Sequence, residues 1–509
     1  MKRGIARIAG AVALVLMAAC GAGNGGNGPA DPNAEIDPAQ PIVYQNSWAA
    51  SSLDPHKTRL GADGLFLAMI YDRLVHRDTA GDPIPGLAES WEVDDAGTAV
   101  TFHLREGVTF HDGATFDAEA VKLNIARAME PDSGTAPLLE TVESVEVIDP
   151  QTVVFHLEIP DGSLILTLSD LPGMMVSPQA FGEDLATKPV GAGRYTLAES
   201  DAGARYLLEA YPAYWDPESV GADTFEWQVV ADPQTRLNAI SSGDANLIQV
   251  STTIVAPARA RNDLVVSAQN TLNSHTLNFN RTKSEFDKLE VRQAVLYAMN
   301  REEIIAGALD NEAAVASQPF PKGYFAHNAE LENLYPHDPQ KAKDLLASVG
   351  LADGFSFEVL VLNVAQMVRE AEIIKAQLAE AGIDMTITPV ALADLSAAFN
   401  RGEGDAAMNA WAGRGDPSLL LKQYFDAEAP GNPSKSSPDG FDEALTAANS
   451  VYETGERGTL LQEVSRILME DAVYAPIAFF HQGGIASNTV VGYEPYLVGD
   501  EFRGVGVAK

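Results

Sequence analysis

The chain has 509 residues, 46% of them hydrophobic, and its 71 acidic against 34 basic side chains give a formal net charge of −37. Such a surface repels nucleic-acid phosphates, and no basic, aromatic-interleaved stripe offsets it, so nucleic acid is excluded as a partner. The single cysteine rules out an intrachain disulfide and leaves stability to core burial, while the length points to two or three lobes.

Lys2, Arg3 and Arg7 precede an uncharged run from Ile8 to Ala19, which ends in Ala18 and Ala19 directly before Cys20. This is the pattern of a secretory signal, shorter than the roughly 20 apolar residues of a membrane span. Cys20 in that place resembles a bacterial lipobox, with Met17 where leucine is usual. The resemblance implies removal of residues 1–19, acylation of Cys20 and attachment to a membrane. Residues 20–40, rich in Gly and Asn and then in Pro, Asp and Ala, read as a flexible tether.

Ile42-Val-Tyr44 then reads as a short strand and Leu65–Leu74 as a helix. Ala99–Arg105 and Val153–Glu158 alternate apolar and polar residues, as half-buried strands do. Between them Asp117 is placed to cap a helix carrying Val121, Ile125, Ala128 and Met129. In the second half Val291, Ala294, Val295, Ala298 and Met299 recur at helical spacing. Asn300 and Asp338-Pro339 open further helices, and Gly350 closes the second of them. Val368–Ala381 reads as a helix stopped by Gly382, followed by an alternating strand from Ile383. Strand and helix in turn argue for α/β lobes.

No Gly-x-Ser-x-Gly elbow, His-Glu-x-x-His pair or Gly-Lys-Ser/Thr phosphate loop occurs, and the one cysteine is assigned to lipid. His103 and His156 read as ordinary strand residues. His111 reads as a brace for the Asp112-Gly113 turn rather than a metal ligand. The chain therefore reads as a binder and not an enzyme, with no metal and no cofactor.

Long stretches converge on one family: Tyr71-Asp-Arg-Leu-Val, Pro85-Gly-Leu-Ala-Glu-Ser-Trp-Glu-Val, Thr101-Phe-His-Leu-Arg-Glu-Gly-Val, Phe110-His-Asp-Gly, Pro189-Val-Gly-Ala-Gly-Arg-Tyr, Tyr214-Trp and Arg236-Leu-Asn-Ala-Ile-Ser-Ser-Gly. In the second half Leu277-Asn-Phe-Asn, Phe286-Asp, Val291-Arg-Gln-Ala-Val-Leu-Tyr-Ala-Met-Asn-Arg and Asp338-Pro-Gln-Lys-Ala-Lys-Asp-Leu-Leu follow in order. Together they resemble family 5 of the bacterial extracellular solute-binding proteins, whose members serve ABC importers. The resemblance implies a two-lobed α/β fold of the type II periplasmic-binding-protein kind. Lobe I would span 41–270 plus 481–509, with an inserted subdomain at about 60–185, and lobe II 271–480. Two chain crossings, near Ser267–Leu277 and Ala478–Ala486, would form the hinge. The implied role is capture of a di- to oligopeptide and its delivery to permease subunits. Alternatives are a nickel chelate, glutathione, an opine or an oligosaccharide, and, from another class, an extracytoplasmic hydrolase.

By the same resemblance the ligand loop is Trp411-Ala-Gly-Arg-Gly-Asp-Pro417. Asp416 would pair with a peptide α-amino group, since a buried ammonium needs an ionic partner, or else would simply cap the next helix. Trp411 would supply an apolar or cation–π wall, Arg414 a carboxylate clamp, and Gly413 close backbone approach. Asn46, Trp48 and His275 are further expected contacts.

Overall fold

The computed structural model describes residues 34–509 apart from 59, 202, 284 and 430; the expected signal 1–19 and Cys20 lie outside the described residues. The expected tether 20–40 is corrected at its end. Ile36 bridges Ala508, Asp37 N–H donates to Val507 C=O at 2.8 Å, and Lys509 N–H donates to Glu35 C=O at 2.9 Å. The bare Cα of Gly506 leaves the space that the Ile36 side chain fills.

The expected elements form, with shifted ends. Strands run Ile42–Asn46, Ala99–Leu104, Thr152–Leu157 and Ile383–Val390, and the alternating runs 99–104 and 152–157 bury every second residue. Asp117, Asn300 and Asp338 each accept a backbone N–H three residues on, at 2.9, 3.1 and 2.9 Å, and so start the helices Ala118–Ala128, Arg301–Ala308 and Pro339–Ser348. The helix expected over 65–74 is instead Asp63–Ile70. It stops because Tyr71 turns extended and Val75–Arg77 pairs with Pro83–Pro85 as a hairpin.

Eleven strands make one continuous mixed sheet. On one side lie 383–390, 355–362 and 406–411, mutually parallel; on the other lie 247–249, 42–46, 224–229, 205–210 and 195–201. The two sides are joined by two long antiparallel strands, Leu264–Phe279 and Tyr474–Ser487, with Ala313–Val315 paired onto the latter. Their ladder breaks register between Asn270 and Ser274, and Gly483 takes φ +142° where any Cβ would strike Ser267 C=O. A bulge and a glycine at the crossing are the features that let a sheet bend there.

Separate apolar clusters flank the sheet. The largest runs from Leu272 to Ala478, joined by Leu497, and includes Phe286, Val359, Met408 and Val464. A second, with Ile42, Phe66, Trp227 and Phe502, lies beyond the crossing. A third fills a four-stranded antiparallel sheet, ordered 88–93, 99–104, 152–157 and 142–149, under the helix 118–128. Each fully buried Leu or Phe contributes about 1.5–3 kcal/mol, so each cluster is a core in its own right. The molecule is two-lobed, with an added β-rich subdomain.

Candidate functional site

A cavity of about 560 Å³ opens where the two long strands cross, a volume typical of small-solute sites. Trp48, Arg73, Arg77 and Asp170 reach it from the first half of the chain, Trp411, Gly413 and Arg414 from the second, and Asn273, Phe480 and Gln482 from the crossing strands. Away from the cavity lining the two halves of the chain also touch: Gly162 N–H donates to Asn449 C=O at 2.6 Å, Asp161 N–H donates to Tyr452 Oη at 3.1 Å, and Lys422 pairs with Glu140.

The strand Ala406–Trp411 and the loop after it bring Trp411, Gly413 and Arg414 to the cavity lining. Gly413 N–H donates to Asn273 Oδ1 at 2.7 Å, and a Cβ here would run into Leu272, so only glycine lets the loop lie on the crossing strand. Arg414 lines the cavity, but its Nε and Nη2 donate to Gln423 Oε1 at 3.3 and 2.9 Å. Trp411 stacks on Tyr424 at 4.3 Å and Tyr474 at 4.9 Å and presents its edge to the cavity, with Nε1 lacking a protein acceptor.

Asp416 does not face the cavity. It is 0% exposed, and its carboxylate caps the helix Pro417–Phe425 by accepting Ser418 N–H at 2.9 Å. Arg457 from the helix Thr454–Glu470 grips both carboxylate oxygens, Nη2 to Oδ1 at 2.8 Å and Nη1 to Oδ2. The carboxylate is neutralised from within its own lobe. In this structure the carboxylate caps the helix and is held by Ser418 and Arg457.

The floor is built by a motif whose role the sequence did not disclose. In Tyr71-Asp-Arg-Leu-Val, Asp72 takes the Nε2–H of His76 at 2.5 Å, Tyr214 Oη at 2.9 Å and Trp215 Nε1 at 2.6 Å. His76 Nδ1 accepts from Arg503 Nη1 at 3.2 Å, and burial pushes this histidine's pKa down, so the ring is neutral and donates on one side only. Arg73 Nη2 binds Glu501 Oε1 at 2.7 Å. Burial works to raise the Glu501 carboxyl, but Arg73 and its cationic neighbours hold it down at about 2. This weave clamps the C-terminal tail onto the first lobe and thereby carries Asp500 and Glu501 to the cavity wall.

Asp500 accepts Tyr493 Oη at 2.5 Å and Tyr496 N–H at 3.1 Å. Burial pushes its carboxyl up to about 6 despite these bonds. Arg77 is 8% exposed and also lines the cavity.

Of the other expected contacts, Trp48 lines the cavity, edge-on to Trp227 at 5.7 Å. Asn46 is fully buried within the sheet and off the cavity wall. His275 is also off the wall: its Nδ1 donates to Glu370 at 2.8 Å, and its ring packs on Phe480 at 4.0 Å. Phe480 is the residue that reaches the cavity in its place. His111 braces its turn as expected, with Nε2 on Gly193 C=O at 3.0 Å.

The profile of the bacterial extracellular solute-binding proteins, family 5 Middle, matches residues 82–432. The heme-binding protein A of Haemophilus influenzae is 29% identical, covering 98% of this chain and 98% of its own. The glutathione-binding protein GsiB of Salmonella paratyphi A is 29% identical over 89% of this chain and 92% of its own. Among solved structures, the periplasmic binding protein DppA of Helicobacter pylori in complex with the peptide STSA superposes with a TM-score of 0.78 at 26% identity, over 92% of this chain and 98% of that one. The two-lobed architecture is the type II-like fold of these binding proteins, and the chain belongs to the bacterial extracellular solute-binding proteins of family 5.

Proposed function

We propose that this chain is an extracytoplasmic, lipid-anchored component of an ABC importer that captures a small peptide, or a peptide-like zwitterion such as glutathione, between its lobes. It delivers the closed complex to the permease and performs no chemistry on the solute. In this proposal lobe I is 41–270 plus 481–509 and lobe II is 271–480, hinged at the two crossing strands, and Cys20 carries the lipid. The observation that carries it is a concentration of unsatisfied polar atoms around the cavity: Arg73 Nε, Arg77 Nη1, Trp411 Nε1 and Glu501 Oε2 are buried, lack partners among the described residues and belong to lining residues. Buried polar groups are normally paired, so such a cluster marks a place built for another molecule.

Charges of both signs face the cavity, with Arg77 and Arg414 against Asp170 and Asp500, and no two of these four are ion-paired among the described residues. Tyr44, Trp48, Trp411 and Phe480 supply apolar and cation–π surface between them. A zwitterion with an apolar body matches that lining. With Asp416 engaged by Arg457, Asp500 takes the role of ammonium partner. The solute touches both lobes and so favours the closed arrangement, which is the condition for a ligand-driven population shift.

Native mass spectrometry of the protein isolated without refolding tests this. A bound mass series of peptides, or glutathione, supports the reading. A bound heme, a metal chelate or a sugar would replace it. Turnover of added peptides at catalytic protein concentration would show a hydrolase instead. Cys20→Ser is expected to release the protein from membranes, and retention would point to another anchor.

A further inference from the structure

Arg77 ends the strand Val75–Arg77 and enters the cleft from the first lobe. It is 8% exposed, and among the described residues it forms no ion pair; its Nη1 is wholly buried without a partner. Its neighbours on either side are different: Arg73 holds Glu501, and Arg457 holds Asp416. The acid that acts on it most is Asp170: its Oδ1 accepts Leu171 N–H at 2.8 Å, and its Oδ2 lies, like Arg77 Nη1, beside Gly415, without closing an ion pair on Arg77 among the described residues. Burial pushes the Arg77 pKa down and Asp170 and Glu501 act against it, yet a guanidinium stays charged at neutral pH, so a desolvated cation stands at the wall with acids nearby and no ion pair closed on it among the described residues. Removing a charge from water is costly unless it is paired, and a site that keeps one open is organised for an incoming anion.

The second lobe meets Arg77 at this point. A Cβ on Gly415 would lie 2.8 Å from Arg77 Nη1 and 3.1 Å from Leu166 C=O, so the loop reaches the guanidinium only because residue 415 has no side chain. We propose that Arg77 is the receptor for a carboxylate of the solute, held where the floor of the first lobe meets the Gly413–Gly415 turn of the second. Planar, fork-shaped recognition of this kind suits Arg and is poorly served by Lys. Because the loop closes over the same guanidinium, an anion seated there is sensed by both lobes. The inference rests on the cleft being the solute site and adds the chemical group that the solute must carry.

The test compares the wild type with Arg77→Gln and Arg77→Lys, using Gly-Phe, its C-terminal amide, glutathione and glutarate as probes in calorimetry, alongside native mass spectrometry of each protein as isolated. The wild type is expected to prefer a free acid over its amide by about 30-fold or more, the scale for losing one partner of a buried charged pair. In Arg77→Gln that preference collapses toward one, Arg77→Lys recovers only part of it, and the melting temperature without ligand does not fall. An acid-over-amide preference that survives Arg77→Gln overturns the proposal while leaving the peptide reading intact. A non-peptide ligand that carries a carboxylate and is lost in Arg77→Gln overturns the peptide reading and leaves the anion receptor standing. A bound ligand with no anionic group overturns the receptor. So does a Gln variant that melts lower and weakens acid and amide equally, which would mark Arg77 as a structural residue. Absence of any bound mass together with no response to any carboxylate probe overturns both.

Discussion

Arg457 and Arg77 sit against the same loop, are 2% and 8% exposed, and have opposite fates. Arg457 is closed on Asp416 from within its lobe and fastens the loop to the helix behind it. Arg77 is left open toward the cavity. The pair teaches that burial of a charge alone does not mark a binding group. A buried cation with its counter-ion in place is architecture; one without is a demand that another molecule must meet. The same contrast runs through the acids, between Asp416, which is gripped bidentately, and Asp500, which has hydrogen bonds but no ion pair among the described residues.

The sharpest way to break the contrast is Asp416→Asn. Removing one partner of a buried ion pair leaves Arg457 uncompensated, and the variant is expected to lose about 3–5 kcal/mol in denaturant melts. Replacing both residues, as Asp416→Leu with Arg457→Met, should recover part of that loss. Unchanged stability with abolished solute binding would instead return the carboxylate to the ligand. Asp500 comes next. Its folded-state pKa, about 6, is raised above the ordinary value of 3.8, so the protein binds an extra proton between those limits. The associated stability is complete below pH 4 and is lost as pH rises through 6, by up to about 3 kcal/mol. Asp500→Asn should therefore flatten the pH–stability curve between 4 and 7 and be the more stable form at pH 7 without ligand. In the wild type, affinity for an amine-bearing solute should rise over the same interval as the carboxylate ionises. A curve of unchanged shape in the variant would remove Asp500 from the site.

Gly413→Ala forces a methyl group against Leu272 and should cost about 1–3 kcal/mol, the range for overpacking, with weaker solute binding as the loop lifts off the crossing strand. An unchanged melt and affinity would mean that the loop has room to move. The smallest effect belongs to an exposed ion pair between the two halves of the chain. Lys422 and Glu140 are about half exposed, and Lys422→Gln should change stability by less than about 1 kcal/mol and remove only part of any salt dependence of solute binding. A larger change would make this pair a latch in its own right.

Much of the fold was legible because it is written locally. The alternation in 99–104 and 152–157, the caps Asp117, Asn300 and Asp338, and the stops at Gly350 and Gly382 each depend on residues within one turn or one strand. The helix at 63–70 was read too long because the apolar Leu74 and Val75 serve a hairpin rather than another turn. At the site, Trp48, Trp411, Gly413 and Arg414 were found and do line the cavity, whereas Asn46, His275 and Asp416 do not. His275 is one pairing away: Phe480, which packs on its ring, faces the cavity instead. Arg73 and Arg77, four residues apart in and just after a stretch used to place the family, carried a signal that could have been weighed, namely two cations flanking Leu74 and Val75. Asp500 and Glu501 carried none, since their position depends on a tail folded back over the first lobe.

By itself the sequence determined the α/β lobes, the element boundaries set by caps and glycines, and the family, because periodicity, capping and ungapped motif runs are local properties of a chain. Only the tertiary structure decided which charges are spent and which are offered. The partner of Asp416 is 41 residues away on another helix, and Glu501 meets Arg73 across most of the chain. Arg77 owes its open state to the same long-range geometry, which brings a glycine and a cavity to its side and leaves Asp170 nearby without an ion pair closed on it among the described residues. Electrostatic neutralisation acts through space at a few ångströms, and distance in space is the one quantity that spacing along the chain does not contain.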